Sequence, residues 1–239
     1  MIYISSINLQ QKFTVMAIKW SVFLLFCLLL SVSSSFAQTI TGGASYYARS
    51  FEGRKTANGE KFSNYDMTCA SRKLPFHTFL KITNLKNNLT TIVRVNDRGP
   101  YAKQRVVDLS EQAARIIGIY KRGVTRVKME IIKPPSAADS LKKVMNENDI
   151  VDADGKKIFS NGSMLSIWRT RDLPHALLLI EQLHELEYIQ NFYVLKKMNN
   201  HRPLYHILII NIASTQEAEK LKDYWERKGF MRVKILEKI

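Results

Sequence analysis

The segment TIVRVNDRGPY (91–101) alternates like a β-strand as far as Val95 and then breaks at a carboxylate. Alternate side chains of a strand share a face, so Val93, Val95 and Asp97 point the same way, and the valines mark that side as apolar. A carboxyl group at the end of such a row is partly desolvated. Desolvation raises its pKa and keeps its proton available for general acid catalysis. Arg98 pulls the other way if its guanidinium comes close. The competing reading is that Asn96-Asp97 shapes the turn before Gly99-Pro100, and the residue types alone favour it. A second carboxylate, Glu60, follows the Asn58-Gly59 pair in TANGEKF (56–62), a tight-turn signal; by itself it reads as a solvated turn residue. Tyr46 and Tyr47 are adjacent in GGASYYA (42–48) and face opposite ways in a strand, so one ring suits packing and the other a ligand contact. Cys69 has no histidine near it in sequence and reads as a small core residue. No His/Cys/Asp cluster has metal-ligand spacing and no glycine-rich phosphate loop occurs, so no metal or cofactor is expected.

The elements that must position these residues divide the chain. Residues 42–132 read as short β-rich runs separated by turns: 79–83 and 91–95 around a Lys-Asn-Asn turn, and a closing strand at 125–132. One helix intervenes, with Leu109, Ala113, Ile116 and Ile117 on one face. It has Asp108 or Ser110 as N-cap and Gly118 as its stop. A mostly β segment with one short helix suggests a small barrel. Residues 133–162 open on KPPSAADS and continue polar and turn-rich, which predicts a linker with a short helix from Ser136 to about Met145. Residues 163–239 alternate strand, helix, strand, strand, helix, strand. The strands are expected at 164–170, 189–197, 204–212 and 232–238, the helices at about 172–187 and 215–228. Asp172 caps the first helix, with Pro174 in its first turn, and Ser214 with Glu217 forms a capping-box pattern on the second. This βαββαβ order predicts a four-stranded antiparallel sheet backed by two helices. The fold class is thus mainly β followed by α+β.

The 239 residues carry 36 Lys+Arg and 21 Asp+Glu, a net charge of +15. Residues 42–132 hold 17 and 7 of these, against 12 and 9 in 163–239. A basic domain implies an anionic partner, or only a well-solvated surface. The N-terminal stretch MAIKWSVFLLFCLLLSVSSSFAQ (16–38) has a basic residue, an apolar run and small residues ending at Ala37. That is the layout of a secretory signal, so residues 1–37 are expected to be removed, with Met16 an alternative start. The apolar run is short for a membrane span, the reading that would leave it as an uncleaved anchor. Cys27 lies inside that run after Phe26, which argues against lipidation. The exported chain then keeps one cysteine, too few for an internal disulfide. Export to a periplasm or cell envelope makes an anionic wall polymer or membrane surface a better partner than nucleic acid. A base-stacking βαββαβ sheet is disfavoured too, because no aromatic-rich strand of that kind is present and the segment is nearly charge-balanced.

Two stretches, GGASYYARSFEGRKTANGEKF and VRVNDRGPYAKQRVVDLSEQAARIIGI, resemble the rare lipoprotein A (RlpA) family over about 42–132. The resemblance implies a double-psi β-barrel like those of expansins and some lytic transglycosylases. The activity implied is lytic cleavage of naked peptidoglycan glycan strands, leaving a 1,6-anhydro end without the use of water. Such a reaction needs an acid for the glycosidic oxygen and a base for the 6-hydroxyl, and one carboxylate can serve both in turn. Asp97 falls on the family's active-site aspartate, which reverses the turn reading, and Glu60 on a glutamate implicated in the site as a second acid/base or positioning group. Ser71 stands where the family usually has a histidine; a hydroxyl can bond a sugar but does not titrate near neutral pH. His77, where the family often has glycine, reads as a surface residue. Tyr46, Tyr47 and Arg98 are the expected substrate contacts, and Asp108 a helix cap. The C-terminal βαββαβ segment resembles the SPOR domain, which binds peptidoglycan strands stripped of stem peptides. Together these imply a monomeric cell-wall lytic transglycosylase with glycan strands and division-site proteins as partners. Ser71 leaves a non-catalytic glycan-binding or wall-organising protein as the alternative.

Overall fold

A computed structural model describes residues 39–186 and 191–236. The stretch expected to be a secretory signal, with Met16 and Cys27, lies outside the described residues.

The first part is a closed barrel. Its strands are β1 (Thr39–Tyr46), β2 (Thr68–Ala70), β3 (Phe79–Asn84), β4 (Thr90–Asp97), β5 (Arg105–Leu109) and β6 (Thr125–Ile132), in the order β1-β5-β2-β4-β3-β6. Pairs β1–β5 and β2–β4 are parallel and the others antiparallel. Closure leaves no free strand edge. Apolar residues of β3, β4 and β5 fill the interior; Leu80, Ile82, Val93, Val95, Val107 and Leu109 are all wholly buried. Cys69 is buried with them, and desolvation pushes its thiol pKa up, so it is an inert core residue. Helix α1 (Glu111–Ile116) is capped by Ser110, whose hydroxyl accepts from Ala113 N–H. Asp108 is therefore not the cap. Its carboxylate accepts from the Ser45 hydroxyl at 2.6 Å and faces Arg105 at 3.3 Å, tying β5 to β1.

The second part is a six-stranded sheet in the order β12-β9-β11-β10-β7-β8, every pair antiparallel. The expected βαββαβ core is present as β9 (Ser163–Thr170), α3 (Leu173–Glu185), β10 (Tyr193–Asn199), β11 (Arg202–Ile212), α4 (Thr215–Arg227) and β12 (Lys234–Leu236). Ser214 caps α4 through Glu217 N–H, as its capping-box pattern predicts. Residues expected to be linker add the rest: α2 (Ala137–Val144), β7 (Ile150–Val151) and β8 (Lys157–Ile158). Ile150 and Val151 pair with Leu195 and Val194, so two consecutive apolar residues suffice to extend the sheet.

The barrel and the sheet share one core. Leu178 of α3 packs against Phe79 and Ile92 of the barrel. Four buried side chains bond across the junction. His175 Nε2 donates to Ile92 C=O at 3.0 Å and Gln182 to Thr90 C=O at 2.8 Å. Trp168 Nε1 donates to Tyr65 C=O at 3.1 Å. Gln112 of α1 donates to Gly229 C=O at 2.9 Å and accepts from Met231 N–H at 2.8 Å. Buried hydrogen bonds are costly to break, and Gln112 uses both ends of its amide, so these contacts fix the sheet against the barrel.

Candidate active site

Strand β4 ends irregularly. Cys69 stands opposite Val95 but Ala70 opposite Asp97, so Asn96 is an extra residue in the ladder, and such a bulge re-aims the side chain that follows. The facing loop is a small hairpin: Phe62 N–H donates to Arg54 C=O and Thr56 N–H to Glu60 C=O, with the turn at Gly59, whose φ of +93° suits glycine. Asn58 N–H donates to Asn96 C=O, seating this turn on the end of β4.

That seating builds the Asp97 environment. Its Oδ1 accepts from the main-chain N–H groups of Ala57 and Arg98, each at 2.8 Å. Its Oδ2 accepts from the Tyr47 hydroxyl at 2.7 Å. The side chain is half-buried, but the bulge at the buried Asn96 interrupts the alternation, so Asp97 does not simply continue the face of Val93 and Val95 as expected. Tyr47 is held between Phe62 and Phe51, with ring centroids at 4.4 and 5.4 Å. Burial, and then the hydrogen bond to Asp97, push its pKa well above the usual tyrosine range, so the phenol stays protonated and donates.

Glu60 lies three residues past Ala57 and has a different environment. Arg94 grips it bidentately, Nη1 to Oε1 and Nη2 to Oε2 at 2.9 Å each, and Asn96 adds a bond at 3.1 Å. Burial pushes the carboxyl up, but these donors together outweigh it and hold Glu60 below its usual value. Arg94 also faces Asp172 at 3.2 Å. Glu60 is thus a fixed anion, suited to orienting a ligand or stabilising positive charge. His77 stands beside this cluster, its Nδ1 3.3 Å from Arg94 Nη1, and is exposed.

The remaining expected residues divide between site and scaffold. Ser71 is buried beside Asp97: its N–H donates to Asp97 C=O at 3.1 Å, while its hydroxyl accepts from Leu74 N–H at 3.3 Å. Arg98 donates to Ser71 and Leu74 carbonyls at 3.1 and 3.0 Å and stacks over Phe76 at 3.6 Å. Its main-chain N–H serves Asp97; its side chain holds the loop 71–76. Tyr46 faces away, accepting from Lys121 N–H at 3.0 Å and packing on Tyr120. The structure therefore brings Asp97, Tyr47 and Ser71 together, places Glu60 one turn away, and gives Tyr46 and the Arg98 side chain structural work.

Beyond Glu60 opens a cleft of about 790 Å³ between barrel and sheet, walled by residues 58–61, 66–68 and Arg94 on one side and by 168–172, His175, Arg202 and Leu204 on the other. Asp66 in its wall makes no side-chain hydrogen bond or ion pair among the described residues. Desolvation raises its carboxyl pKa to about 6. Sequence reasoning singled out neither Arg94 nor Asp66. The signal for Arg94 was its charge inside an otherwise apolar strand run; Asp66 lies in an irregular segment and carried none. Among the described residues, no three His, Cys, Asp or Glu side chains stand where they could hold a metal ion.

A closed mixed barrel with two parallel strand pairs and a carboxylate at one strand end defines a class, and residues 39–129 match the double-psi β-barrel family model described as "Lytic transglycolase". Over 95 residues the chain is 52% identical to the "Probable endolytic peptidoglycan transglycosylase RlpA" of Synechocystis sp., covering 39% of this chain and 30% of that protein. It is 47% identical over 98 residues to the "Endolytic peptidoglycan transglycosylase RlpA" of Pseudomonas aeruginosa strain UCBPP-PA14, covering 41% and 29%. With the protein of the same name from Pasteurella multocida the match runs to 185 residues at 32% identity, 75% of this chain and 57% of the relative. The chain thus spans about a third to just over half of the length of these relatives.

Proposed function

We propose that this chain is an endolytic peptidoglycan transglycosylase in which Asp97 is the acid and then the base. The observation that carries the reading is the Asp97 carboxylate, fixed by Tyr47 and two main-chain amides within the domain that matches the family. Protonated Asp97 gives its proton to the glycosidic oxygen as the C1–O4 bond breaks. The resulting carboxylate then takes the proton of the sugar's own 6-hydroxyl as O6 bonds to C1, so a 1,6-anhydro end forms and no water is consumed. Glu60, held ionised by Arg94, supplies a nearby negative charge for the oxocarbenium-like transition state. In this reading residues 16–37 export the chain to the periplasm or cell envelope without lipidation. The C-terminal sheet is a SPOR-like module that delivers the barrel to glycan, and division-site proteins are its partners. A second reading, a non-catalytic glycan-binding protein, is favoured by one observation: the hydroxyl of Ser71 is engaged by Leu74 N–H and does not titrate near neutral pH.

The test is incubation of the full chain with peptidoglycan stripped of stem peptides, followed by mass spectrometry of the products. Anhydro-ended fragments are expected, and Asp97→Asn is expected to reduce their rate at least about a hundredfold, the scale of a lost general acid–base group. Glycan binding with no fragments from the unaltered chain overturns the enzyme reading and leaves the binding protein.

A further inference from the structure

The cleft of about 790 Å³ does not have Asp97 in its wall; it begins at Glu60 and runs between the barrel and the C-terminal sheet. Its charges are unevenly matched. Glu60 and Asp172 are both taken up by Arg94. Lys61, Arg169, Arg171 and Arg202 also line it, and none of the four takes part in a salt bridge or side-chain hydrogen bond among the described residues. Thr170 lies opposite Tyr205 in the β9–β11 ladder, so the end of β9 and the start of β11 bring Arg169, Arg171 and Arg202 to one end of the sheet. On the barrel side, Thr68 is buried and its hydroxyl has no partner, an uncommon state for a buried polar group. The volume of about 790 Å³ lies within the usual range for ligand pockets, about 300–1,000 Å³. Five cationic side chains against three carboxylates leave the wall net positive, and a net charge lining a low-dielectric cleft attracts the opposite charge.

We infer that this cleft is a second binding site, contiguous with the Asp97 site, for a carboxylate-bearing saccharide. Arg169, Arg171 and Arg202 pair with the carboxylate, and Asp66 and Thr68 take sugar hydroxyls. The hairpin 54–62 links the two sites: Ala57 holds Asp97 at one point of its turn and Glu60 enters the cleft at another. A strand lying across this hairpin is bound in the cleft and cut beside it, so the sheet contributes directly to which glycan the barrel accepts. The identity of the saccharide rests on the function proposed above. Peptidoglycan offers two sources of carboxylate, the lactyl group of N-acetylmuramic acid and the stem peptides.

The test measures calorimetric binding to the full chain carrying Asp97→Asn, so that substrate is not consumed. Three ligands of equal length are compared: peptide-free strands of alternating N-acetylglucosamine and N-acetylmuramic acid, the same strands with stem peptides, and a chito-oligosaccharide without carboxylates. An acidic strand is expected to bind about tenfold more tightly than the chito-oligosaccharide, a difference of the size a few partly exposed ion pairs supply. Tighter binding of the peptide-free strand assigns the lactyl carboxylate; tighter binding of the peptide-bearing strand assigns the peptides. The triple variant Arg169→Gln, Arg171→Gln, Arg202→Gln is expected to abolish the preference. These side chains are exposed or half-exposed, and an unchanged melting temperature confirms the fold. Equal affinity for all three ligands, or a preference that survives the triple variant, overturns the inference. If the unaltered chain makes no anhydro ends yet the arginine-dependent preference remains, the cleft stands and the activity falls. If cleavage occurs without the preference, the reverse holds.

Discussion

Asp97 is fixed by groups from three separate places in the chain, and each does a different job. The amides of Ala57 and Arg98 belong to the backbone and survive any side-chain change, whereas Tyr47 is a removable donor 50 positions away. Tyr47→Phe keeps the packing on Phe62 and Phe51 but frees Oδ2. Tyr47 is thus a positioning residue, and its loss is expected to lower kcat about tenfold with little change in KM or melting temperature, because a misaligned proton donor slows chemistry without weakening binding. A rise in KM with kcat unchanged would instead make Tyr47 a sugar-stacking contact. At this scale the sequence was partly legible. Alternation along β4 placed Asp97 at a strand end, and the opposed facing of neighbours separated Tyr46 from Tyr47. What alternation could not show is that closing the barrel brings Tyr47 and the 54–62 hairpin onto that carboxylate. Nor could it show that Arg94, in an ordinary strand position, pairs with both Glu60 and Asp172.

The elements were legible where their period is long enough to read. Helices α3 and α4 and strands β9 to β11 follow from apolar spacing, and α4 also from its Ser214 cap; Asp172 stands at the N-cap of α3 but makes no side-chain cap bond, and β7 and β8 are two residues each and carry no period. The junction was illegible for a different reason. Gln112, His175 and Gln182 are polar residues on helices, which pattern reading assigns to solvent, yet exposure of each is 3% or less because each bonds a carbonyl or amide of the other part. Close approach at this junction also needs a glycine. Gly229 follows α4 with φ +98°, and a Cβ there would lie 2.8 Å from the carbonyl carbon of Arg115 and 2.9 Å from the nitrogen of Ile116. Backbone cannot swing aside as a side chain can. Gly53 has a similar φ of +77° with nothing within 4 Å, so it isolates the conformational cost. Gly53→Ala is expected to cost about 1 kcal/mol in urea unfolding, and Gly229→Ala at least about 3 kcal/mol, the excess measuring the clash with α1. Equal costs would mean that the sheet can slide on the barrel without penalty.

For the molecule as a whole, the shared core makes acid stability a property of the junction and the sheet. Burial drives the His175 pKa down to about 3, with Arg94 adding to the effect, and drives His206 down to about 4, helped by Arg169, Lys197 and Lys234. In the unfolded chain both titrate near 6.5. Between pH 6.5 and about 4 the unfolded state therefore holds two protons that the folded state refuses, and stability falls as pH falls through that window. Asp66 works in the opposite sense. Its folded pKa of about 6 exceeds the ordinary aspartate value of 3.8, so between these the folded state holds the extra proton and gains stability on acidification. Asp172 and Glu181, also raised by burial, act in the same direction as Asp66. Glu111, held down to about 2 by Arg49 and Arg115, starts to lose its contribution only below its ordinary 4.5. Between pH 4.5 and 6 the variants then separate the signs. His175→Gln, which keeps a donor for Ile92, is expected to flatten the decline in unfolding free energy by about one proton, roughly 1.4 kcal/mol per pH unit. Asp66→Asn is expected to steepen it by a comparable amount. Urea titrations at pH 4.5, 5.2 and 6.0 measure both slopes. A His175→Gln slope equal to that of the unaltered chain would show that this junction opens to water before the fold is lost, so that barrel and sheet do not unfold as one unit.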